Sequence, residues 1–159
     1  MNPDLAVQDP ERIAYLYPGE LIVSQAPCTL STVVGSCVSV FLWDARRRAG
    51  GMNHYLLPRD LRPHELSPRF GNTAIRQLVD KLAAMGSEPA ALVAKVFGGA
   101  HVLGNPAQGE CHLGRQNAEL ALEMLESIHI PVLASAVGGT RGRRVVACIS
   151  DGSAWVKEL

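Results

Sequence analysis

The chain has 159 residues, 15 Lys and Arg balanced by 15 Asp and Glu, and no formal net charge; apolar residues make up 47% and charged residues 19%. That balance leaves no electrostatic footprint for nucleic acid and no acidic solvating block, and the apolar share excludes a disordered chain. The length suits one domain that buries its own core.

No apolar run approaches the ~20 residues of a membrane span, so membrane insertion is not expected. The start, MNPDLAVQDPERIAYLYPGE, lacks a basic stretch followed by an apolar one, so a cytoplasmic protein is expected. Cys28, Cys37, Cys111 and Cys148 form no C-x-x-C pair, and free thiols are expected.

Residues 1–18 read as a partly flexible lead-in to a single domain over 19–159. GELIVS (19–24) reads as a short strand. CVSVFLWD (37–44) is a stronger one, rich in β-branched and aromatic residues, and AGGMNHYLL (49–57) follows across a DARRR turn, so the two predict a hairpin. Residues 59–69 read as a loop. From Asn72 to Met85 the period becomes helical, with Ile75, Leu78, Val79, Leu82 and Ala83 on one face, Asn72 as N-cap and Gly86 as the stop. ALVAKVF (91–97) is a strand closed by Gly98-Gly99, followed by a Gly-rich polar loop. A second helix runs from about Arg115 to Ser127, with Ala118, Ala121, Leu122 and Leu125 on one face. Arg115 and Asn117, which open it, either contact substrate or cap and solvate the helix end. PVLASAV, RRVVACIS and SAWVKE are three further strands, the last two joined at Asp151-Gly152. These elements predict a mixed α/β fold, a layered α-β sandwich with two main helices on a mixed or mostly antiparallel sheet of about six or more strands.

The chemistry gathers in the hairpin. A turn centred on residues 44–47 pairs Trp43 with Arg48 and sets Cys37 directly opposite His54, where Cβ atoms stand ~4.5–5.5 Å apart. A slip of one residue would put His54 on the other face. A thiol of ordinary pKa, ~8.5, is mostly protonated at neutral pH, and an adjacent imidazole takes its proton and frees a nucleophile. Backbone N–H groups around Gly35, Ser36 and Cys37 are candidate oxyanion donors. Ser31 and Thr32 are the nearby hydroxyls to orient the base. Buried packing roles for a lone cysteine and histidine compete with this reading.

Two other motifs are weaker. KVFGGAHVLGN lacks the spacing and the Lys-Ser/Thr of a P-loop. Cys111-His112 with His101 nearby has poor geometry for tetrahedral zinc and no second matching pair. Neither a nucleotide nor a metal is expected.

GSCVSVFLWD, GGMNHYLLP, AKVFGGA, LGRQNAE and VGGTRGRRV, in this order, resemble the CheD family, the chemoreceptor glutamine deamidases of bacterial chemotaxis. The resemblance runs from about Gly19 to Leu159. It implies hydrolysis of glutamine side-chain amides on chemoreceptor cytoplasmic helices to glutamate and ammonia, with receptor methyl esters as a further substrate for some members. It implies Cys37 as nucleophile, His54 as base and a threonine shortly before the cysteine as third member, here Thr32 with Ser31 as the alternate. Gly35, Ser36, Asn53, Gly98 and Gly99 would then line the substrate and oxyanion region. The resemblance implies no cofactor, and it implies a CheC-type phosphatase as a further partner, with an adaptor role as the alternative function.

Overall fold

A computed structural model describes residues 12–62, 66–102 and 112–159. Among them nine strands and two helices run in the order β1 (Ile13–Tyr15), β2 (Leu21–Ser24), β3 (Thr29–Val34), β4 (Val38–Asp44), β5 (Ala49–Asn53), α1 (Gly71–Ala84), β6 (Leu92–Gly98), α2 (His112–Ser127), β7 (Val132–Val137), β8 (Arg143–Cys148) and β9 (Ala154–Glu158). The expected mixed α/β sandwich with two helices is what forms, but its strands divide between two sheets.

One sheet has the order β1-β3-β8-β9, and the other β2-β5-β4-β6-β7. Only β1/β3 and β6/β7 run parallel. The five-stranded sheet is the middle layer. One apolar layer joins it to the helices, through Val38, Val40, Leu42, Ile75, Leu78, Ala121 and Leu125. A second joins it to the four-stranded sheet, through Leu30, Val34, Phe41, Met52, Phe97 and Val145. This explains why CVSVFLWD shows no polar alternation: β4 is covered on both faces, its even residues toward the helices and its odd ones toward the other sheet. β8, at the outside, alternates buried with less buried residues, as a sheet with one solvated face does.

Several local expectations are corrected. Asn72 does not cap α1; the cap position is Phe70, and the Asn72 side chain instead clasps the backbone of Asp60, accepting from its N–H at 3.1 Å and donating to its carbonyl at 3.3 Å. Gly86 does close the helix, with φ +104°. On α1, Ala83 is exposed and Ala74 is buried; on α2, Leu122 is exposed and Leu120 is buried. Both helix faces are therefore rotated slightly from the predicted ones. The strands β1 and β3 were not predicted.

The β4–β5 register also differs. Trp43 pairs with Gly50 and Asp44 with Ala49, not Trp43 with Arg48. The turn uses two more residues because Asp44 accepts hydrogen bonds from the N–H groups of Arg46 and Arg47 and Arg48 takes a left-handed φ of 49°. Continued through the reciprocal Val38–Tyr55 bridge, this register sets Ser39 opposite His54. A slip of two keeps each residue on its face, so Cys37 and His54 stay on the same side of the sheet as diagonal, not direct, neighbours.

Candidate active site

The site lies where the two sheets meet at the end of β3. β3 leaves the outer sheet at Val34, turns through Gly35, Ser36 and Cys37, and enters the middle sheet as β4. Cys37 is partly exposed, at the rim of the layer between the sheets. His54 follows β5 directly and is only 2% exposed. Its backbone is turned toward the segment before β2: its N–H donates to Glu20 O at 3.1 Å and its carbonyl accepts from Gly19 at 2.7 Å. The ring projects across to the other sheet.

There Thr32 Oγ1 lies 2.7 Å from His54 Nδ1, and both residues are buried. The Thr32 hydroxyl also donates to Leu16 O at 2.8 Å. A hydroxyl has one hydrogen, and a carbonyl can only accept it. His54 must therefore donate from Nδ1 to the Thr32 oxygen. The neutral ring then carries its lone pair on Nε2, which is buried and has no hydrogen-bond partner among the described residues. Ser31 cannot share this role in the same backbone, because neighbours on a strand face opposite ways. It sits on the outer face of its sheet, in a cross-strand row with Tyr15 and Val146.

Burial sets the protonation states. Removal from water pulls His54 down from 6.5 to about 4, and it pushes the Cys37 thiol up against a smaller lowering by the thiol's own backbone N–H. At neutral pH the two are a neutral thiol and a neutral imidazole, not a standing ion pair.

The cysteine turn is held by its carbonyls. Gly35 O accepts from Ala100 N–H at 2.8 Å, Cys37 O from Gly99 N–H at 2.9 Å, and Ser36 O from Asn117 Nδ2 at 2.9 Å. Gly98 closes β6 with φ +111°, and a Cβ there would collide with Cys37 O. Gly98 and Gly99 thus stand against the cysteine. Asn53, wholly buried, uses Oδ1 to accept from Val40 N–H at 2.8 Å, and its Nδ2 has no partner among the described residues. His101 lies beside the site, its backbone N–H on Gly139 O. Among the described residues no group of His, Cys, Asp or Glu could hold a metal, and Cys111 lies outside them.

Sequence reasoning missed two parts of this frame. Asn117, expected to cap the second helix or meet substrate, is wholly buried and neither caps nor solvates the helix end; Arg115 pairs with Glu119 at 2.8 Å on the exposed face. Tyr55, which donates to Asn117 O at 2.5 Å, carried no signal beyond following the histidine.

The family model described as CheD chemotactic sensory transduction matches residues 56–158. The chain is 48% identical to the probable chemoreceptor glutamine deamidase CheD 1 of Anaeromyxobacter dehalogenans, over 91% of this chain and 84% of that one. It is 41% identical to the probable chemoreceptor glutamine deamidase CheD of Trichlorobacter lovleyi, over 86% and 84%. A Sulfurimonas denitrificans protein of the same name is 38% identical, over 90% and 92%.

Proposed function

The chain belongs to the CheD family, and on that footing we propose that it is a protein-glutamine glutaminase acting on the cytoplasmic helices of bacterial chemoreceptors. The names of its relatives support the substrate class. The observation that carries the chemistry is the Thr32–His54 contact, which leaves an imidazole lone pair buried and unused on the same side of the sheet as a partly exposed thiol.

His54 Nε2 takes the proton of Cys37 as Sγ closes on the glutamine carboxamide carbon. The S–C bond forms and the oxyanion is held by backbone N–H groups of the cysteine turn. His54 returns the proton to nitrogen, the C–N bond breaks and ammonia leaves. Water then gives a proton to His54 and attacks the thioester carbonyl. The C–S bond breaks, Cys37 recovers its proton, and glutamate is released. Thr32 accepts from Nδ1 throughout and stabilises the transient imidazolium, as the third member of such triads does. Thiol, imidazole and water balance this sequence with no cofactor. The neutral resting pair suits it, because the thiolate then arises only as substrate arrives and displaces water.

The test is mass spectrometry of receptor cytoplasmic fragments after incubation with the protein. Glutamine-to-glutamate conversion by the wild type and none by Cys37→Ala is the expected result. Conversion by Cys37→Ala would remove the assignment of the nucleophile. No conversion by either would favour the adaptor role, on a CheC-type phosphatase, over catalysis.

A further inference from the structure

Asn117 joins both arms of the site from below. Its Nδ2 group donates to Ser36 O and to Leu56 O, each at 2.9 Å. Ser36 precedes the nucleophile and Leu56 lies two residues after the base. The amide orientation is forced, because a flipped side chain would set Oδ1 against two carbonyl oxygens. The residue is itself fixed: it is 0% exposed, lies within α2, and its own carbonyl accepts from Tyr55. Burial pushes the Tyr55 phenol far up, so that donor keeps its hydrogen at every working pH.

The contact with Ser36 O has a consequence for Cys37. In a trans peptide the N–H points opposite to the C=O. Drawing the Ser36 carbonyl inward to Asn117 turns the Cys37 N–H outward. Carried by the nucleophile's own residue, that N–H lies near the place where an oxyanion forms when the sulfur attacks a carbonyl. The neighbouring carbonyls of Gly35 and Cys37 are held by backbone groups, and among the described residues it is this side chain that holds the Ser36 carbonyl between them.

We infer that Asn117 is a positioning residue, which orients the Cys37 N–H as an oxyanion donor by anchoring the Ser36 carbonyl and ties that turn to the His54 segment through Leu56. This rests on the reading of Cys37 as an acyl-forming nucleophile, and it does not depend on what protein supplies the acyl group.

Two reactions at Cys37 separate this role from general support of the fold. Acylation by p-nitrophenyl acetate forms an S–C bond, expels p-nitrophenolate and passes through an oxyanion. Alkylation by iodoacetamide needs the thiolate but forms no oxyanion. Both are followed by mass spectrometry of the intact full-length protein, in wild type and Asn117→Leu, with Asn117→Ala as the substitute if the larger side chain prevents folding. Circular dichroism establishes that the variant is folded. The expected result is acylation slowed about 100-fold, the order of losing one oxyanion donor, with alkylation within about threefold of wild type. Equal changes in both rates, or acylation at the wild-type rate, would overturn the inference. A wild type that is acylated at Cys37 and yet leaves receptor fragments unchanged would contradict the proposed substrate and leave the role of Asn117 standing.

Discussion

Ser31 and Thr32 are neighbours of similar chemistry with opposite placements. In the sequence both stand before Gly-Ser-Cys; counting back from the cysteine favours Ser31 in one register, and residue type favours Thr32. The distinction is made by strand parity: once 29–34 is a strand paired with β8, Thr32, opposite Val145, is on the face toward the other sheet and meets His54, and Ser31, also buried, is on the opposite face. Thr32→Val, which keeps the shape and removes the oxygen, is expected to lower kcat by about 10- to 100-fold, at or below the low end of the range for a group that transfers the proton itself, because Thr32 acts through His54. Ser31→Ala is expected to keep kcat within about threefold. Steady-state deamidation of a receptor fragment checks both, and the reverse ranking would point to the outer-face serine. His54 adds a pH signature. Its value in the folded chain, about 4, lies below its ordinary 6.5, so the unfolded chain binds the proton first as pH falls. Its contribution to stability is therefore intact above about pH 6.5 and drains between there and about pH 4, by roughly 3 kcal/mol at the limit. Urea unfolding at pH 7 and pH 4.5 should show a larger loss in wild type than in His54→Gln. Equal losses would contradict the buried neutral ring.

At the scale of elements, the strong periodic segments were legible. α1, α2, β4 and β6 to β9 all form close to their expected bounds, the helices because their apolar residues recur at helical spacing and the strands because they are apolar, β-branched runs set between turn residues. β3 was missed although TLSTVV is a β-branched run; Thr29, Ser31 and Thr32 interrupt its apolar residues and hid a strand that is mostly buried. The hairpin register escaped for a different reason. It depends on how many residues the turn consumes, and that is decided by Asp44 binding two backbone N–H groups and by the left-handed Arg48. The shared face of Cys37 and His54 survived because the error was even. The end of β6 makes a further prediction. A methyl at Gly98 would strike Cys37 O in a backbone with φ +111°. Gly98→Ala is therefore expected to cost at least about 1 kcal/mol of strain and to abolish deamidation by displacing the cysteine turn. A variant with wild-type turnover and an unchanged melting curve would show that this close approach is not needed.

Across the whole molecule, the sequence pointed to layers but not to their number. One sheet carrying two helices and two stacked sheets carrying the same helices give nearly the same string of elements. They differ in which strands pair over long separations, such as β3 with β8, and local patterns do not encode that. The stacking is what makes the site, since Thr32 belongs to one sheet and His54 to the other. The two apolar layers should therefore respond differently to cavities. Leu78→Ala, in the helix layer, and Phe41→Ala, between the sheets, should each cost about 2–5 kcal/mol by denaturant unfolding. At a temperature where both remain folded, the second should lower deamidation more, because it loosens the contact between the sheets that carry the pair. Equal turnover in the two variants would contradict a site assembled by sheet stacking.

If Cys37 carries the glutamine acyl group as a thioester, hydroxylamine will intercept it. Added during turnover on a receptor fragment, it should compete with water for that thioester and leave a γ-glutamyl hydroxamate at the modified glutamine with the wild type and none with Cys37→Ala. Ammonia release without hydroxamate by the wild type, or hydroxamate formed by Cys37→Ala, would contradict the thioester on Cys37.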